Sequence, residues 1–105
     1  PQWSVFQTPP SIIKRTGEWV YHEISCSHNI TNYDVMLWYK REEEQGSLEY
    51  LGYMNMIFPF PEDDVKEKIS FEGDARKHSR LNISDLALHD SGVYFCAFVW
   101  TRTWI

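Results

Sequence analysis

The stretch Asp85-Leu-Ala-Leu-His-Asp90-Ser-Gly-Val-Tyr94-Phe-Cys96-Ala97 decides how the rest of the chain is read. It opens as a short acidic turn and continues as a strand whose alternate positions, Tyr94 and Cys96, point the same way. The natural partner of Cys96 is Cys26, the only other cysteine. Trp38 lies between them, inside the apolar run Val35-Met-Leu-Trp-Tyr39. The cysteines stand 70 positions apart, too far for a C-x-x-C redox or zinc signature. A bridge between them would constrain the unfolded chain by roughly 4 kcal/mol.

A chain of 105 residues, 43% of them hydrophobic, is sized for one domain with a modest core, and we read 1–105 as that domain. A formal charge of −5 argues against nucleic acid, which calls for a basic stripe. No run reaches the length of a membrane span, and any leader or anchor is expected outside these residues. The sequons Asn29-Ile-Thr31 and Asn82-Ile-Ser84, with the cysteine pair, favour the secretory route and an extracellular location.

Short strands separated by turn signals recur along the whole sequence, which implies an all-β sandwich. Val5–Thr8 reads as an edge strand, broken at Pro9-Pro10 and resuming at Ser11–Ile13. After the turn Thr16-Gly17-Glu18, alternation places Val20, His22, Ile24 and Cys26 on the inner face. Ser27–Asp34 is a polar loop. Val35–Lys40 turns Met36 and Trp38 inward, leaving Leu37 and Tyr39 on an outer face more apolar than water requires, which suggests an interface. Leu48–Tyr53 is the next strand. Met54–Pro61 carries two prolines, so it cannot be a central strand and is expected to wrap the sandwich edge and pack inward. Ile69–Phe71, the turn Glu72–Asp74 and Leu81–Ile83 form a hairpin with Ile69, Phe71, Leu81 and Ile83 inward and Asn82 outward. Asn82 is thus the better glycan acceptor.

Cys26, Trp38-Tyr39, Leu86, Asp90-Ser-Gly92 and Tyr94-Phe-Cys96-Ala97 together resemble the V-type immunoglobulin framework. Within it, Gln7-Thr-Pro9, Leu48–Tyr53 and Ser91–Ala97 are most similar to a T-cell receptor β-chain variable segment. Cys26-Ser-His28 and Gly73-Asp74 resemble fish members in particular. The resemblance implies a Cys26–Cys96 disulfide joining two antiparallel sheets, with Trp38 packed on it. It makes Tyr94 the tyrosine-corner residue and pairs Asp90 with Lys68. It assigns Ser27–Asp34, Met54–Pro59 and Phe98–Thr103 to ligand-contacting tip loops, with Asn32, Tyr33, Asn55, Phe58, Phe98, Trp100 and Arg102 as contact residues. A second V domain would pair through Leu37, Tyr39, Arg41, Tyr50 and Phe95. The ligand implied is a protein or a peptide-MHC-type complex at the outer face of the plasma membrane. The alternative is a germline V-type receptor or an adhesion and pairing domain.

The sequence departs from that pattern in several places. The run from Gly17 to Cys26 is about two residues longer than is usual in the family, which preserves parity and implies a bulge. Arg41 stands where paired V domains usually carry Gln, and Glu42-Glu-Glu44 replaces a proline-bearing turn. No Phe-Gly-x-Gly follows Cys96. The final strand is therefore expected to be truncated or atypical, with an unpaired edge that invites dimerisation.

An enzyme is not expected. His89, Asp90 and Ser91 are adjacent in sequence, which is not how a catalytic triad is assembled in space. Ser27-His28 lacks an orienting acid at an obvious position, although Asp34 is near. No phosphate-cradling glycine loop, metal-ligand spacing or cofactor motif is present. A glycan on Asn29 would shield the first tip loop, so its use is expected to be light.

Overall fold

The computed structural model of the chain describes residues 5–42 and 46–99. Its strands are β1 (Val5–Thr8), β2 (Val20–His28), β3 (Val35–Arg41), β4 (Glu49–Asn55), β5 (Phe58–Pro61), β6 (Ile69–Asp74), β7 (His78–Ile83) and β8 (Val93–Val99). They form two four-stranded antiparallel sheets, ordered β1-β2-β7-β6 and β5-β4-β3-β8. The expected all-β sandwich is what the chain adopts. Among the described residues the only helical piece is a 3-10 turn at Leu88–Asp90.

Alternation explains the core. Ile24 and Cys26 of β2, Met36 and Trp38 of β3, Met54 of β4, Ile69 and Phe71 of β6, and Leu81 and Ile83 of β7 are all buried between the sheets. Cys26 and Cys96 are bonded, with Cα atoms 6.4 Å apart. Trp38 lies opposite Cys96 across the β3–β8 ladder, and Cys26 lies opposite Ser79 across the β2–β7 ladder. The indole Nε1–H of Trp38 then donates to Ser79 Oγ at 3.2 Å. The same four residues are thus joined between sheets twice, once covalently and once by a hydrogen bond.

His22, expected inward, is exposed. Val20 pairs with Ile83 and Ile24 with Leu81, so Tyr21, His22 and Glu23 together face Asn82 alone. This bulge carries His22 at a φ of 62° and turns its ring outward, stacked on Tyr21 and paired with Glu72. Val20 and Ile24 still both face the core because the insertion keeps parity. Asn82, expected outward and available, is only 5% exposed. The bulge folds over it: Asn82 Oδ1 accepts from the His22 backbone N–H at 2.9 Å, and Nδ2 donates to Ser70 Oγ.

Other boundaries also shift. Phe58–Pro61 does not pack inward but forms β5, an edge strand on β4, with Phe58 and Phe60 exposed. Proline suits an edge because the missing N–H faces no partner. Gly52 makes the approach of β5 to β4 possible. Its φ is +133°, and a Cβ there would lie 2.5 Å from the Phe60 carbonyl oxygen. The segment after Pro10 makes no strand, and Ile13 is fully in solvent, because consecutive prolines leave no donors to carry a ladder forward. The β6–β7 turn falls at Ala75–Lys77 instead of residues 72–74.

At the end of the sandwich away from the β2–β3 loop, Asp90 gathers several contacts. Its Oδ2 lies 2.8 Å from Lys68 Nζ and accepts from the Ala87 N–H at 2.8 Å. The Tyr94 hydroxyl donates to the Asp90 carbonyl at 2.6 Å. Nearby, Lys40 is buried and donates to the His89 carbonyl. Burial works against the Asp90 charge, but Lys68 and the Ala87 N–H outweigh it and hold the carboxyl below its ordinary value. Burial, reinforced by the Asp90 carboxylate, pushes the Tyr94 hydroxyl up.

A carboxyl depressed in the folded state contributes stability above its ordinary value of 3.8, and that contribution is lost as pH falls through the folded value. Asp90→Ala is expected to cost about 2 to 3 kcal/mol at neutral pH, below the figure for a fully buried pair because Lys68 keeps contact with water. Urea unfolding at pH 7 and near pH 3 should show the gap between parent and variant narrowing at the acid end.

Candidate functional site

Loops from both sheets meet at one end of the sandwich. Backbone hydrogen bonds tie them in series: the Asp34 N–H donates to the Val99 carbonyl, Met56 to Asp34 at 2.9 Å, and Ala75 to Met56 at 2.8 Å. The β2–β3 loop, the β4–β5 turn, the β6–β7 turn and the end of β8 thus form one connected surface.

His28 pins it from beneath. Its ring is buried against Phe98, with centroids 4.1 Å apart, and beside Tyr33. Nδ1 accepts from the Ile30 N–H at 3.0 Å, which leaves Nε2 to carry the proton and donate to the Ala75 carbonyl at 2.8 Å. The His28 N–H also donates to the Lys77 carbonyl. In the adjoining turn, a hydrogen bond from Arg76 holds the Asp74 carboxyl at about 2.

The expected tip residues divide between exposed and inward positions. Asn32 is exposed at a φ of 73°, which an asparagine tolerates, and Tyr33 is half-buried beside it. Asn55 closes β4 opposite Val35 and Phe58, and Phe58 is 59% exposed. Phe98 turns inward, because the alternation that points Cys96 at the core puts Phe98 on the same side, opposite Met36. Trp100 and Arg102 lie outside the described residues. His28 was missed as an organiser of this end. Its place two residues after Cys26 on the inner face was the available signal.

The second surface is the outer face of the β5-β4-β3-β8 sheet. Leu37, Tyr39 and Arg41 of β3 share this face with Tyr50 and Tyr53 of β4 and with Phe95 of β8. Tyr39 and Tyr50 have ring centroids 5.4 Å apart, and Tyr53 stacks on Phe60 of β5 at 4.9 Å. Burial, with Glu62 and Tyr39 adding to it, raises the Tyr50 hydroxyl. The Arg41 guanidinium lies over the Phe95 ring, 5.1 Å from its centroid. Glu43 and Glu44 lie outside the described residues. A sheet face with this much half-exposed aromatic area has the composition seen at the buried core of protein interfaces.

Residues 7–103 match the immunoglobulin V-set domain family. The chain belongs to that family. Its V-set domain is 32% identical over 94 residues to the human T cell receptor beta variable 3-1, covering 90% of this chain and 79% of that one. It is 34% identical to the human T cell receptor beta variable 9, covering 89% and 78%. A solved structure described as the structural basis of T cell specificity and activation by the bacterial superantigen toxic shock syndrome toxin-1 superposes with a TM-score of 0.84. That match has 26% identity and covers 99% of this chain and 87% of the other. V-set domains are a receptor class without enzymatic activity. Among the described residues of this one no three His, Cys, Asp or Glu side chains converge as a metal site would need, and no helix is long and apolar enough to cross a membrane.

His28→Ala removes a buried ring and leaves the Ala75 carbonyl without its donor. The expected cost is about 2 to 3 kcal/mol. Native-state hydrogen exchange should quicken at Met56 and Ala75 while amides around Trp38 keep their protection.

Proposed function

We propose that this chain is the variable domain of a T cell receptor β-like immune receptor, working outside the cell. Its outer β3–β4–β8 face pairs with another V-type domain, and its tip loops bind a protein or peptide-bearing ligand of the MHC type. The observation that carries this reading is the outer sheet face: Leu37, Tyr39, Tyr50 and Phe95 stand half-exposed on a rigid ladder while the tip is free for another task. Aromatic side chains on strands lose little entropy when covered, which suits them as anchors. The likeness to human T cell receptor variable segments supports the pairing, and the superantigen-related neighbour supports a protein ligand.

The connected tip supports ligand contact in a similar way. Backbone bonds among its loops set Asn32, Tyr33 and Phe58 on one preorganised surface, and preorganisation lowers the cost of binding. Residues 1–105 would form one such domain, with any anchor supplied outside them.

Mixing the purified chain with a panel of T cell receptor α-type variable domains tests the pairing. At least one should form a 1:1 complex at micromolar concentration by sedimentation velocity. Tyr39→Glu should abolish that complex, and Tyr33→Ala should leave it intact. Failure of every α-type domain to associate would sink the pairing half of the reading.

A further inference from the structure

We infer that the outer β3–β4–β8 face selects a partner that presents a carboxylate to Arg41, and that it disfavours a second copy of this chain. The inference rests on the pairing reading above. Among the described outward positions of β3, β4 and β8, Arg41 is the one charged side chain; its neighbours there are aromatic, aliphatic or the amide Asn55. Its Nε is buried without a hydrogen-bond partner, and no ion pair reaches its guanidinium among the described residues. The adjacent carboxylate, Glu42, turns instead to Lys40 at 3.4 Å. Among the described residues, Arg41 therefore meets the Phe95 ring and no carboxylate.

Covering this face would strip water from Arg41. A buried cation left without a partner is strongly unfavourable, whereas a carboxylate meets the planar guanidinium fork with two parallel hydrogen bonds. A partner with an acidic side chain at that point is thus rewarded.

Self-pairing offers no such group from β3, β4 or β8: a twofold interface brings the same patch from each copy, so two Arg41 cations enter it and no outward Asp or Glu of those strands does. The described carboxylate that acts on this face, Glu62 after β5, is felt at Tyr50 and forms no ion pair with Arg41. The apolar area favours covering the face, while Arg41 decides by what. This is specificity by an unpaired charge.

A charge-reversed version of the chain serves as the acidic probe. The wild type, Arg41→Glu, and their equimolar mixture are compared by sedimentation equilibrium, with Arg41→Gln as a neutral control and thermal melts to verify that each variant folds. The mixture should associate at least tenfold more tightly than either protein alone, and this advantage should shrink in 0.5 M salt, on the order of the screening expected at that strength. Arg41→Gln should self-associate more than the wild type. Wild type that self-associates as tightly as the mixture, or a mixture with no gain, overturns the inference. If Arg41→Gln dimers form and Tyr39→Glu abolishes them while the mixture gains nothing, the face pairs without charge selection, and only this inference falls. If no combination associates and no α-type domain binds, the pairing reading falls with it.

Discussion

Trp38, Cys26, Cys96 and Ser79 form a closed circuit through the middle of the sandwich, and the rest of the fold depends on it. Each sheet supplies two of the four residues as ladder partners, so the disulfide and the indole hydrogen bond both act on strands already held in register. The covalent link acts mainly on the unfolded chain, while the hydrogen bond satisfies a polar atom that would otherwise be buried unpaired. Together they fix the spacing and rotation of the two sheets. Every surface position on β3 and β8 inherits its direction from that registration, including Tyr39 and Phe95.

The two ends of the sandwich are built differently. Near Asp90 the chain is held by charge: Lys68 with Asp90, and Lys40 against the His89 carbonyl. At the opposite end it is held by backbone hydrogen bonds passing from loop to loop over the His28 ring. The first arrangement anchors the corner where β8 begins. At the second, Asn32 is exposed and Tyr33 is half-buried beside the His28 ring.

Most of the fold was legible in the sequence because period-two alternation and the Cys–Trp–Tyr spacing point to the same answer. Ile69, Phe71, Leu81 and Ile83 all sit where alternation places them. The failures have specific causes. His22 was misplaced because a two-residue insertion leaves the sequence pattern unbroken, and nothing in a histidine announces a positive φ. Asn82 followed the alternation in direction but was covered by a neighbouring strand, which no local pattern reports. The turn of Met54–Pro61 back onto β4 depends on Gly52, whose need for open space is visible only once β5 lies beside it. Phe98 was legible and misread: its parity with Cys96 already placed it inside.

The β2 bulge sets a rule for changes in chain length in this domain. Losing Tyr21 and His22 together would restore an ordinary ladder and leave Ile24 and Cys26 facing the core. Losing one alone would leave a one-residue bulge like the one on β4, where Leu51 is the extra residue between the Trp38–Gly52 and Tyr39–Tyr50 pairs, and Cys26 would keep its place opposite Ser79. The bulge is thus where a change of length ahead of the bridge can be absorbed, in steps of one or two, without disturbing the circuit around Trp38.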